Sequence, residues 1–584
     1  MNFRNLCIAF NLLITFTMSA VSKHQVAIAY TTDVHGSYFP INYITGQPAE
    51  GCLAKVKTAV DSIRQSLGQE NVLLLDNGDF LQGQPTVYYY NYIDTVSPHI
   101  SSQIYNYMRY DATTVGNHDI ETGHAVYDRW RSQNEMPMLA ANVIDVSTGK
   151  PYFQPYAVFN RGGLKIAVLG MLTPAIPFWL PKVLWDGLKF DDMAESARKW
   201  VRHIRENEKP DMIIGLFHSG HDEHKTTGNV IENASIKVAR DVPGIDAVLM
   251  GHDHQLYKDD IINVDGDTVK VLNPANNARF LGVLNISADK DKDGKIVTKE
   301  LTTSIIDVRR VASDPEFLST FATQQKTIAD FVNRQIGTAD EDMNVQDAFF
   351  GASSFMTLLH KLQLSISGAD ISFAAPLSFN AVINKGAVRI SDMFSLYKYE
   401  NMLYVMQLTG KEIKDYLEHS YDLWIRQVVP GQPHIINFAS DNPSFTDNRL
   451  KNPSYNFDSA AGIDYTVDVT KPKGERINIT KLSDGRRFSS DSIYTVAVNS
   501  YRANGGGDHF TKGAGIPAEE LAARIIRATD RDLRYYLIKE IEKNPEIRVS
   551  VLTNWRFIPD SIVSRISETD RELLFSDKSS NEQK

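Results

Sequence analysis

Short apolar runs alternate with amphipathic stretches along residues 24 to about 310. Apolar runs bounded by turn-forming residues are typical of buried strands, whereas apolar positions three or four apart predict helices. The runs are VAIAY (26–30), NVLLLD (71–76), ATTV (112–115), KIAVLG (165–170), MIIGLF (212–217) and IDAVLM (245–250). Helical patterns separate several of them, at 53–67, 122–134 and 193–207. The alternation predicts a layered α/β domain, which antiparallel strands within 281–308 would close.

The pattern changes after residue 313. The stretch DPEFLSTFATQQKTIADFVNRQI (314–336) predicts a helix capped by Asp314 or Ser313 that connects two domains. A second α/β region follows, in which the strand 401–409 enters a helix through Thr409 and Glu412, a capping-box pattern. The residues after about 545 are polar and charged, which is typical of a frayed end. We predict a layered α/β domain at 23–311, a linker helix at 312–340, a C-terminal α/β domain at 341–545 and a tail at 546–584.

The first 22 residues have the pattern of a secretory signal. MNFRN is basic, LCIAFNLLITFTM is apolar, and SAVS offers small residues for cleavage near Ala20 or Ser22. The apolar run is shorter than the roughly 20 residues that a membrane span needs, and no later run is longer. We expect an exported protein, periplasmic or extracellular, without a transmembrane span and soluble after cleavage.

Composition narrows the possible partners. The 584 residues predict two to four domains. The net charge of −10 argues against a nucleic-acid polymer as partner, although a local site could still bind a small anion. Cys7 lies in the predicted signal, so Cys52 would stand alone and no intramolecular disulfide could form. We interpret Cys52 as a core residue.

Polar side chains follow five of the predicted strands within about four residues of their ends. Strand-to-helix turns favour Asp, Asn and Gly in any protein, but in an α/β sheet this edge is also where ligands bind. The presence of such side chains at the ends of five separate strands favours one shared site. Its candidate residues are Asp33, His35, Asp79, Asn117, His118, His218, His252 and His254.

These side chains have the chemistry of a metal centre. Imidazole and carboxylate groups are ligands for zinc, manganese or iron. Seven of these eight groups are already more than one tetrahedral ion takes, and they suit two divalent ions that share a bridging carboxylate. Two divalent ions against two carboxylates leave a net charge of about +2, which would attract phosphate and stabilise both the attacking and the leaving oxygen.

The motifs DVH, GDFLQG, GNHD, the first His of LFHSGH, and GHDH resemble those of the calcineurin-like metallophosphoesterases. The longer runs VLLLDNGDFLQGQP, LFHSGHD and IDAVLMGHDH are similar to the secreted nucleotidases of the 5′-nucleotidase superfamily. Within them the chain is most similar to the 2′,3′-cyclic-nucleotide 2′-phosphodiesterase/3′-nucleotidases. The resemblance covers residues 24 to about 545.

The resemblance implies a role for each residue. One ion would be bound by Asp33, His35, Asp79 and His254, and the other by the shared Asp79 with Asn117, His218 and His252. His118 would face the phosphate and stabilise the transition state or the leaving group. The 5′-nucleotidases have an Asp three residues after this His to orient it, and Glu121 stands there in this chain. Asp119 is given no role.

Two further stretches contain residue types or spacings that are typical of metal sites. His221 and His224 follow His218, but they do not directly follow the strand, so we interpret them as loop residues. DKDKDGKIVTKE (289–300) matches the EF-hand loop pattern. Its flanks are strand-like where an EF-hand needs helices, so a hairpin turn around Asp293 and Gly294 is the simpler interpretation. Calcium binding at 289–300 stays open.

The C-terminal region supplies candidates for specificity. PSYNFDSAAGIDYTVDVT (453–470) and AVNSYRANGGGDHF (497–510) resemble the nucleobase-binding motifs of the family. The resemblance implies that Tyr455 and Tyr501 sandwich the base, and a stacked base contributes ~1–3 kcal/mol. The arginine that 5′-nucleotidases carry in the run equivalent to ISFAAPLSFNAV (371–382) is absent. That difference favours the 3′-nucleotidase branch.

We therefore predict an enzyme that hydrolyses nucleotide phosphoesters, with a metal-bridging hydroxide attacking phosphorus in line. A 5′-nucleotidase with the same centre is the close alternative. A catalytically silent nucleotide-binding protein is the alternative of a different class, but it would have no need of seven intact ligand positions. The sequence leaves open the metals, the preferred base and the oligomeric state.

Overall fold

The computed structural model describes residues 22–431, 434–439 and 450–575. The N-terminal part contains two six-stranded sheets. The strands of the first sheet, in spatial order, are Ile296–Asp307, Phe280–Lys290, Ser22–Thr31, Val72–Asp76, Ala112–Thr114 and Met138–Leu139. Those of the second are Leu256–Ile262, Thr268–Pro274, Ala247–Met250, Met212–His218, Leu164–Leu172 and Tyr156–Arg161.

The two sheets pack face to face. Alternate side chains of each inner strand, such as Ile28 and Leu73 in the first sheet and Ile214 in the second, form one buried apolar cluster between them. The opposite side chains pack under helices, as Leu74 does in the first sheet and Val248 in the second. The covering helices are Leu53–Leu67, Ile100–Met108 and His124–Gln133 on one side, and Met193–Asn207 and Ser235–Asp241 on the other. The domain is therefore a four-layer α/β structure.

The predicted strands and helices of this domain are confirmed within a few residues. The stretch 289–300 lies at a hairpin, because the antiparallel strands Phe280–Lys290 and Ile296–Asp307 flank it and the Gly294 amide donates to the Asp291 carbonyl at 3.0 Å. The helical flanks of an EF-hand are thus replaced by strands, as expected. Short elements complete the domain: helices Pro85–Tyr88 and Asn117–Glu121, and paired strands Val143–Asp145 with Leu188–Phe190 and Thr226–Thr227 with Val230–Ile231.

Two helices connect the domains where the sequence predicts one. Pro315–Thr320 begins after Asp314, whose carboxylate accepts from the Phe317 amide at 2.6 Å. Phe321 interrupts the helix, and Ala322–Asn333 continues it. The predicted capping box is also confirmed: the Thr409 amide donates to Glu412 at 2.7 Å, and the Glu412 amide donates to the Thr409 hydroxyl at 3.2 Å.

The C-terminal part is built on a five-stranded sheet, in the order Ser459–Ala461, Ile371–Ala374, Ile493–Asn499, Met402–Thr409 and Ile525–Asp532. Two three-stranded sheets flank it, in the orders Gly386–Arg389, Gln335–Ala339, Glu546–Ile547 and Ile477–Leu482, Ile463–Asp468, Trp555–Ile558. Its helices are Ser354–Ser367, Ile390–Leu396, Gly410–Trp424, Ser500–Ala503, Leu521–Arg524, Leu533–Lys543 and Asp560–Phe575.

The segment after residue 545 differs from the polar tail that the sequence suggests. Strand Trp555–Ile558 pairs with Ile463–Asp468, and helix Asp560–Phe575 buries Ile566 and Leu574 in the core of the C-terminal part. An amphipathic helix of 16 residues carries enough charge to look like a solvated end when read residue by residue. The last residues, 576–584, lie outside the described part.

The two halves meet in a buried polar contact. The Tyr88 hydroxyl donates to Asp532 at 3.2 Å, and the Tyr92 hydroxyl donates to Glu400 at 3.2 Å. The Arg534 guanidinium lies over the Tyr88 ring, 5.0 Å from its centroid. This contact places the C-terminal part against the helical segment 85–93 of the N-terminal part.

Across the described residues, none of the helices combines the length and the hydropathy that a membrane crossing requires. The predicted signal segment, residues 1–22, lies outside the described part except for Ser22, which begins the first strand.

Candidate metal centre

The predicted ligands lie together at the carboxyl ends of strands from both sheets. Asp33 and His35 follow Ser22–Thr31, Asp79 follows Val72–Asp76, and Asn117 follows Ala112–Thr114. In the second sheet, His218 ends Met212–His218, and His252 and His254 follow Ala247–Met250. Asp33, His35, Asp79, Asn117 and His218 are buried, whereas His252 and His254 are partly exposed.

Four of these residues form a compact donor set. One ligand atom from each of Asp33, His35, Asp79 and His254 lies within 4.8 Å of every other. His254 Nε2 is 3.3 Å from Asp33 Oδ1 and 3.1 Å from His35 Nε2. This is the set that the sequence assigns to the first ion.

The other predicted set is equally close. His218 Nε2 lies 3.2 Å from Asp79 Oδ2 and 3.1 Å from Asn117 Oδ1. His252 Nδ1 lies 2.8 Å from the same Asn117 oxygen. The structure thus brings together all seven side chains, with Asp79 next to both groups.

The donor chemistry fits divalent cations. Two buried carboxylates beside four imidazoles are oxygen and nitrogen ligands that transition metals prefer. Burial, together with the neighbouring His254, lowers the pKa of His35 to about 3, which keeps its imidazole neutral and able to coordinate. Burial alone would raise the pKa of Asp33, but His218 and His254 lower it to about 2, so this carboxylate is ionised.

The backbone is held in an unusual conformation at the centre. Five of the predicted ligands have left-handed φ angles: Asp33 (50°), His35 (50°), Asp79 (56°), His252 (77°) and His254 (58°). Asp and His tolerate this region better than most residues, but it still carries strain that the surroundings must support. Strain gathered at one site is typical of a functional centre.

Two glycines allow the motifs to approach each other. A Cβ on Gly116 would lie 2.2 Å from Asp79 Oδ1, and one on Gly251 would lie 2.1 Å from the Thr32 hydroxyl. Any larger residue would push the GNHD or GHDH motif away from the ligands of the neighbouring strand.

Each histidine ligand is fixed by a contact at its other ring nitrogen. His218 Nδ1 lies 2.6 Å from the Asn77 carbonyl oxygen, and His35 Nδ1 lies 3.0 Å from that of Gln82. His254 Nδ1 is 3.0 Å from the Asn276 amide, and His252 Nε2 is 3.2 Å from Glu232 Oε1. Such outer contacts orient imidazoles toward a metal.

His118 and Glu121 lie beside the ligands. His118 Nδ1 is 2.5 Å from Glu121 Oε2, and its backbone amide donates to Asp79 Oδ1 at 2.8 Å. Burial would lower the pKa of His118, but the charges of Asp79 and Glu121 raise it to about 9. The structure therefore brings together the His–Glu pair that the sequence suggests.

Asp119, which the sequence analysis leaves without a role, joins two of the motifs. Its carboxylate accepts from the backbone amides of Asp79, Phe80 and Leu81, each at 2.9 Å, and from that of Gly116 at 2.8 Å. Its adjacency to GNH is visible in the sequence, but three of its four partners are backbone amides of another motif. No side-chain pattern reveals such a contact.

His221 and His224 do not join the predicted ligand set. His221 Nδ1 lies 2.5 Å from Asp253, and its ring stacks on Tyr257 with centroids 4.5 Å apart. His224 lies in the exposed loop that follows. Both positions agree with the interpretation of these residues as part of a loop.

The two candidate base-binding tyrosines are tied together by Arg502. Its buried guanidinium donates to the carbonyls of Tyr455 and, at 2.9 Å, Gly506, and it pairs with Asp458 at 2.7 Å. Gly506 lies directly against the Tyr501 ring, where a Cβ would meet the ring at 2.6 Å. Burial raises the pKa of Tyr501, as do the charges of Tyr455 and Glu232. Arg502 therefore fixes the backbone around both tyrosines.

Comparison with known families agrees with this geometry. Residues 26–256 match the calcineurin-like phosphoesterase family, and residues 335–513 match the 5′-nucleotidase C-terminal domain family. The chain combines a calcineurin-like phosphoesterase domain with a 5′-nucleotidase C-terminal domain. The resemblance predicted from the motifs is thereby confirmed, and we refer to the two parts as the phosphoesterase domain and the nucleotidase domain.

Curated relatives align along most of both domains. The 2′,3′-cyclic-nucleotide 2′-phosphodiesterase/3′-nucleotidase of Yersinia enterocolitica is 26% identical, over 93% of this chain and 90% of the relative. The trifunctional nucleotide phosphoesterase protein YfkN of Bacillus subtilis strain 168 is 27% identical over 93% of this chain. The chain spans only 39% of the length of that second relative.

Solved structures share the two-domain fold. A Staphylococcus aureus protein crystallised with alpha-ketoglutarate aligns with a TM-score of 0.75 at 22% identity, over 91% of this chain and 99% of the other. This similarity supports the fold alone. The phosphoesterase domain and its buried Asp/His cluster indicate divalent metal ions as cofactors.

Proposed function

We propose that this chain hydrolyses nucleotide phosphoesters as a 2′,3′-cyclic-nucleotide phosphodiesterase and 3′-nucleotidase with two divalent ions. The observation that carries the proposal is the convergence of seven donor side chains from five strand ends. The curated relative from Yersinia enterocolitica carries that pair of activities in its name.

Asp33, His35, Asp79 and His254 would hold one ion, and Asp79, Asn117, His218 and His252 the other. Two bound zinc, manganese or iron ions would supply Lewis-acid stabilisation of the phosphoryl oxygens and activate water. Asp79 suits the shared position because its Oδ2 lies 3.2 Å from His218 Nε2 of one set, and one of its oxygens lies within 4.8 Å of donor atoms of Asp33, His35 and His254 of the other.

His118 would act on the substrate through Nε2. Its Nδ1 is committed to Glu121 at 2.5 Å, so Nε2 is the nitrogen that can donate to a phosphoryl or leaving-group oxygen. A raised pKa keeps this imidazole protonated at neutral pH, which suits a group that stabilises developing negative charge. Glu121 would orient the ring and stabilise its charge.

Tyr455 and Tyr501 would hold the nucleobase. Arg502 fixes the backbone of Tyr455 and of Gly506, on which the Tyr501 ring rests. Stacking accepts any base because each base offers a π-face. Asp458 and Arg502 are both buried, so we expect them to fix the backbone that carries the two tyrosines.

A 5′-nucleotidase is the second candidate, favoured by the family match of residues 335–513. Against it stands the run 371–382, which lacks the arginine of that branch. A panel of 2′,3′-cyclic AMP, 3′-AMP and 5′-AMP at matched concentration, measured by product analysis and phosphate release with and without chelator, tests the proposal. We expect chelator-sensitive turnover of the first two. Preference for 5′-AMP would favour the second candidate, and no turnover of any nucleotide would favour a silent binding protein.

We also propose that the chain is exported, with residues 1–22 acting as a signal. The support is the order of a basic start, an apolar run and small residues before the first strand. Fractionation of expressing cells, combined with N-terminal sequencing of the mature protein, tests this. An unprocessed N-terminus in the cytoplasm would contradict it.

A further inference from the structure

Glu232 is a buried carboxylate outside every motif that the sequence analysis used. It directly follows the short strand Val230–Ile231 and is 4% exposed. Its Oε1 lies 3.2 Å from His252 Nε2, and its other oxygen accepts from the Thr227 hydroxyl. Its backbone is fixed as well, because its amide donates to the Lys225 carbonyl at 3.0 Å and its carbonyl accepts from Thr173 at 2.9 Å.

The contact sets the state of the His252 ring. A carboxylate accepts, so Nε2 must carry a hydrogen, and the lone pair of the neutral ring is then on Nδ1. Nδ1 is the nitrogen that faces the centre, 2.8 Å from Asn117 Oδ1. Trp179 stacks on the face of the same ring, with centroids 5.5 Å apart. Tautomer and orientation are thus both determined from outside the ligand set.

His252 differs in this respect from the other three imidazoles. The outer nitrogens of His218 and His35 meet backbone carbonyls, and that of His254 meets a neutral amide. In the described part of the chain, the contact from Glu232 to His252 is the one among these four outer contacts that involves a negatively charged group. A carboxylate partner raises the basicity of a ligating imidazole, and loss of such a partner typically costs 10–100-fold in metal affinity.

Lys225 moderates this charge. Its Nζ lies 2.6 Å from Glu232 Oε1, the same oxygen that His252 contacts. The lysine side chain is half exposed, whereas that of Glu232 is 5% exposed. The ammonium group of Lys225 partly neutralises the Glu232 carboxylate. Its effect on the basicity of His252 should therefore oppose that of Glu232.

We infer that Glu232 is a positioning residue that tightens one of the two metal sites through His252, and that Lys225 weakens the same site. The inference rests on the proposed two-metal function but concerns a residue outside the ligand set. It predicts opposite effects of two neighbouring substitutions, which a merely structural role of the hairpin around residues 225–232 does not.

The test is a metal titration of apo-protein with Zn²⁺ or Mn²⁺ against a competing chelator. Glu232→Gln should weaken one of the two binding steps by about 10–100-fold and leave the other within about twofold. Lys225→Met should tighten the binding step that Glu232→Gln weakens. Glu223→Gln is the matched control, since Glu223 lies in the same loop but pairs outward with Arg240 at 2.5 Å. Circular dichroism of each apo-variant checks folding.

A second readout is rescue. Phosphate release by Glu232→Gln should return toward the wild-type rate as free metal rises, because the site is weakened and not removed. Unchanged binding steps in Glu232→Gln, or equal weakening in Glu232→Gln and Lys225→Met, would overturn the inference. Wild-type protein that binds fewer than two ions would instead contradict the proposed function, and the two failures are therefore distinguishable.

Discussion

At the scale of single residues, the chemistry depends on which side chains contact a metal and which contact the substrate. His118 lies next to the ligand Asn117 in sequence, but its side chain pairs with Glu121 instead of joining the donor set. A ligand and a substrate-facing group should respond differently to mutation, because only a ligand is needed to retain metal.

His118→Asn should therefore lower kcat by about 10²–10³-fold while both ions stay bound. Glu121→Gln should do less, since it removes only the group that orients the imidazole. Elemental analysis gives the metal content of each variant, which is then compared with its kcat. Loss of metal in His118→Asn would make His118 a ligand, and an unchanged rate in Glu121→Gln would remove the proposed pairing alone.

The spacing of residues in the sequence predicts the inner side chains of the centre but not their supports. Asp33-x-His35 and His252-x-His254 are visible because strand ends bring them to one edge. Glu232 and Asp119 are not, because each acts on a group that is distant in sequence or belongs to the backbone. Only the folded arrangement reveals such partners.

At the scale of elements, the centre depends on turns that follow short strands. The strand Ala112–Thr114 has three residues, and the turn after Val72–Asp76 carries the bridging candidate Asp79. The Asp119 carboxylate holds both turns by four backbone hydrogen bonds. Their geometry should therefore be sensitive to this one side chain.

Asp119→Asn should destabilise the fold by about 1–3 kcal/mol, because an amide NH₂ faces backbone donors that it cannot accept from. It should also weaken metal binding, since Asp79 would lose its support. Denaturant unfolding and metal titration measure the two effects. Asp128→Asn is a suitable control, because Asp128 pairs with His124 at a partly exposed position. Wild-type stability with wild-type metal affinity in Asp119→Asn would show that Asp119 does not hold the turns.

The strands themselves are predicted well from the apolar runs, but their division into two sheets is not. VAIAY and MIIGLF look alike as sequences, yet they belong to different sheets. A buried strand has apolar side chains on both faces, so its sequence carries no information about its neighbours. For the same reason the sequence predicts an edge where ligands meet without predicting that two sheets supply it.

At the scale of the whole molecule, the contact between the domains is polar and buried. Burial raises the pKa of Glu400 from 4.5 to about 8, against the opposing charge of Arg534. In the unfolded chain Glu400 ionises above about 4.5, whereas in the folded protein it keeps its proton until about 8. Folding is therefore disfavoured progressively as pH rises through this window.

Glu400→Gln removes this pH dependence. The difference in Tm between the variant and the wild type should shift in favour of the variant as pH rises from 5 to 8. Thermal unfolding at several pH values measures it, and Glu546→Gln, at an exposed position, serves as control. Parallel curves for Glu400→Gln and the wild type would mean that Glu400 ionises normally at the domain contact.

Specificity also belongs to this scale, because the base and the phosphate would contact different domains. Tyr501→Ala should raise KM for nucleotides by about tenfold or more, given ~1–3 kcal/mol for a stacked base. Turnover of a small aryl phosphate should change little, since the metal centre is untouched. Equal losses on both substrates would mean that Tyr501 supports the fold and does not contact the base.

The central claim is that two ions, held by seven side chains from two sheets, carry out the hydrolysis. Stepwise addition of Zn²⁺ or Mn²⁺ to apo-protein, with release of phosphate from 3′-AMP measured after each addition, tests it most directly. We expect a rate near background through the first equivalent and a steep rise as the second binds. Full activity at one equivalent, or activity that survives without metal, would contradict it.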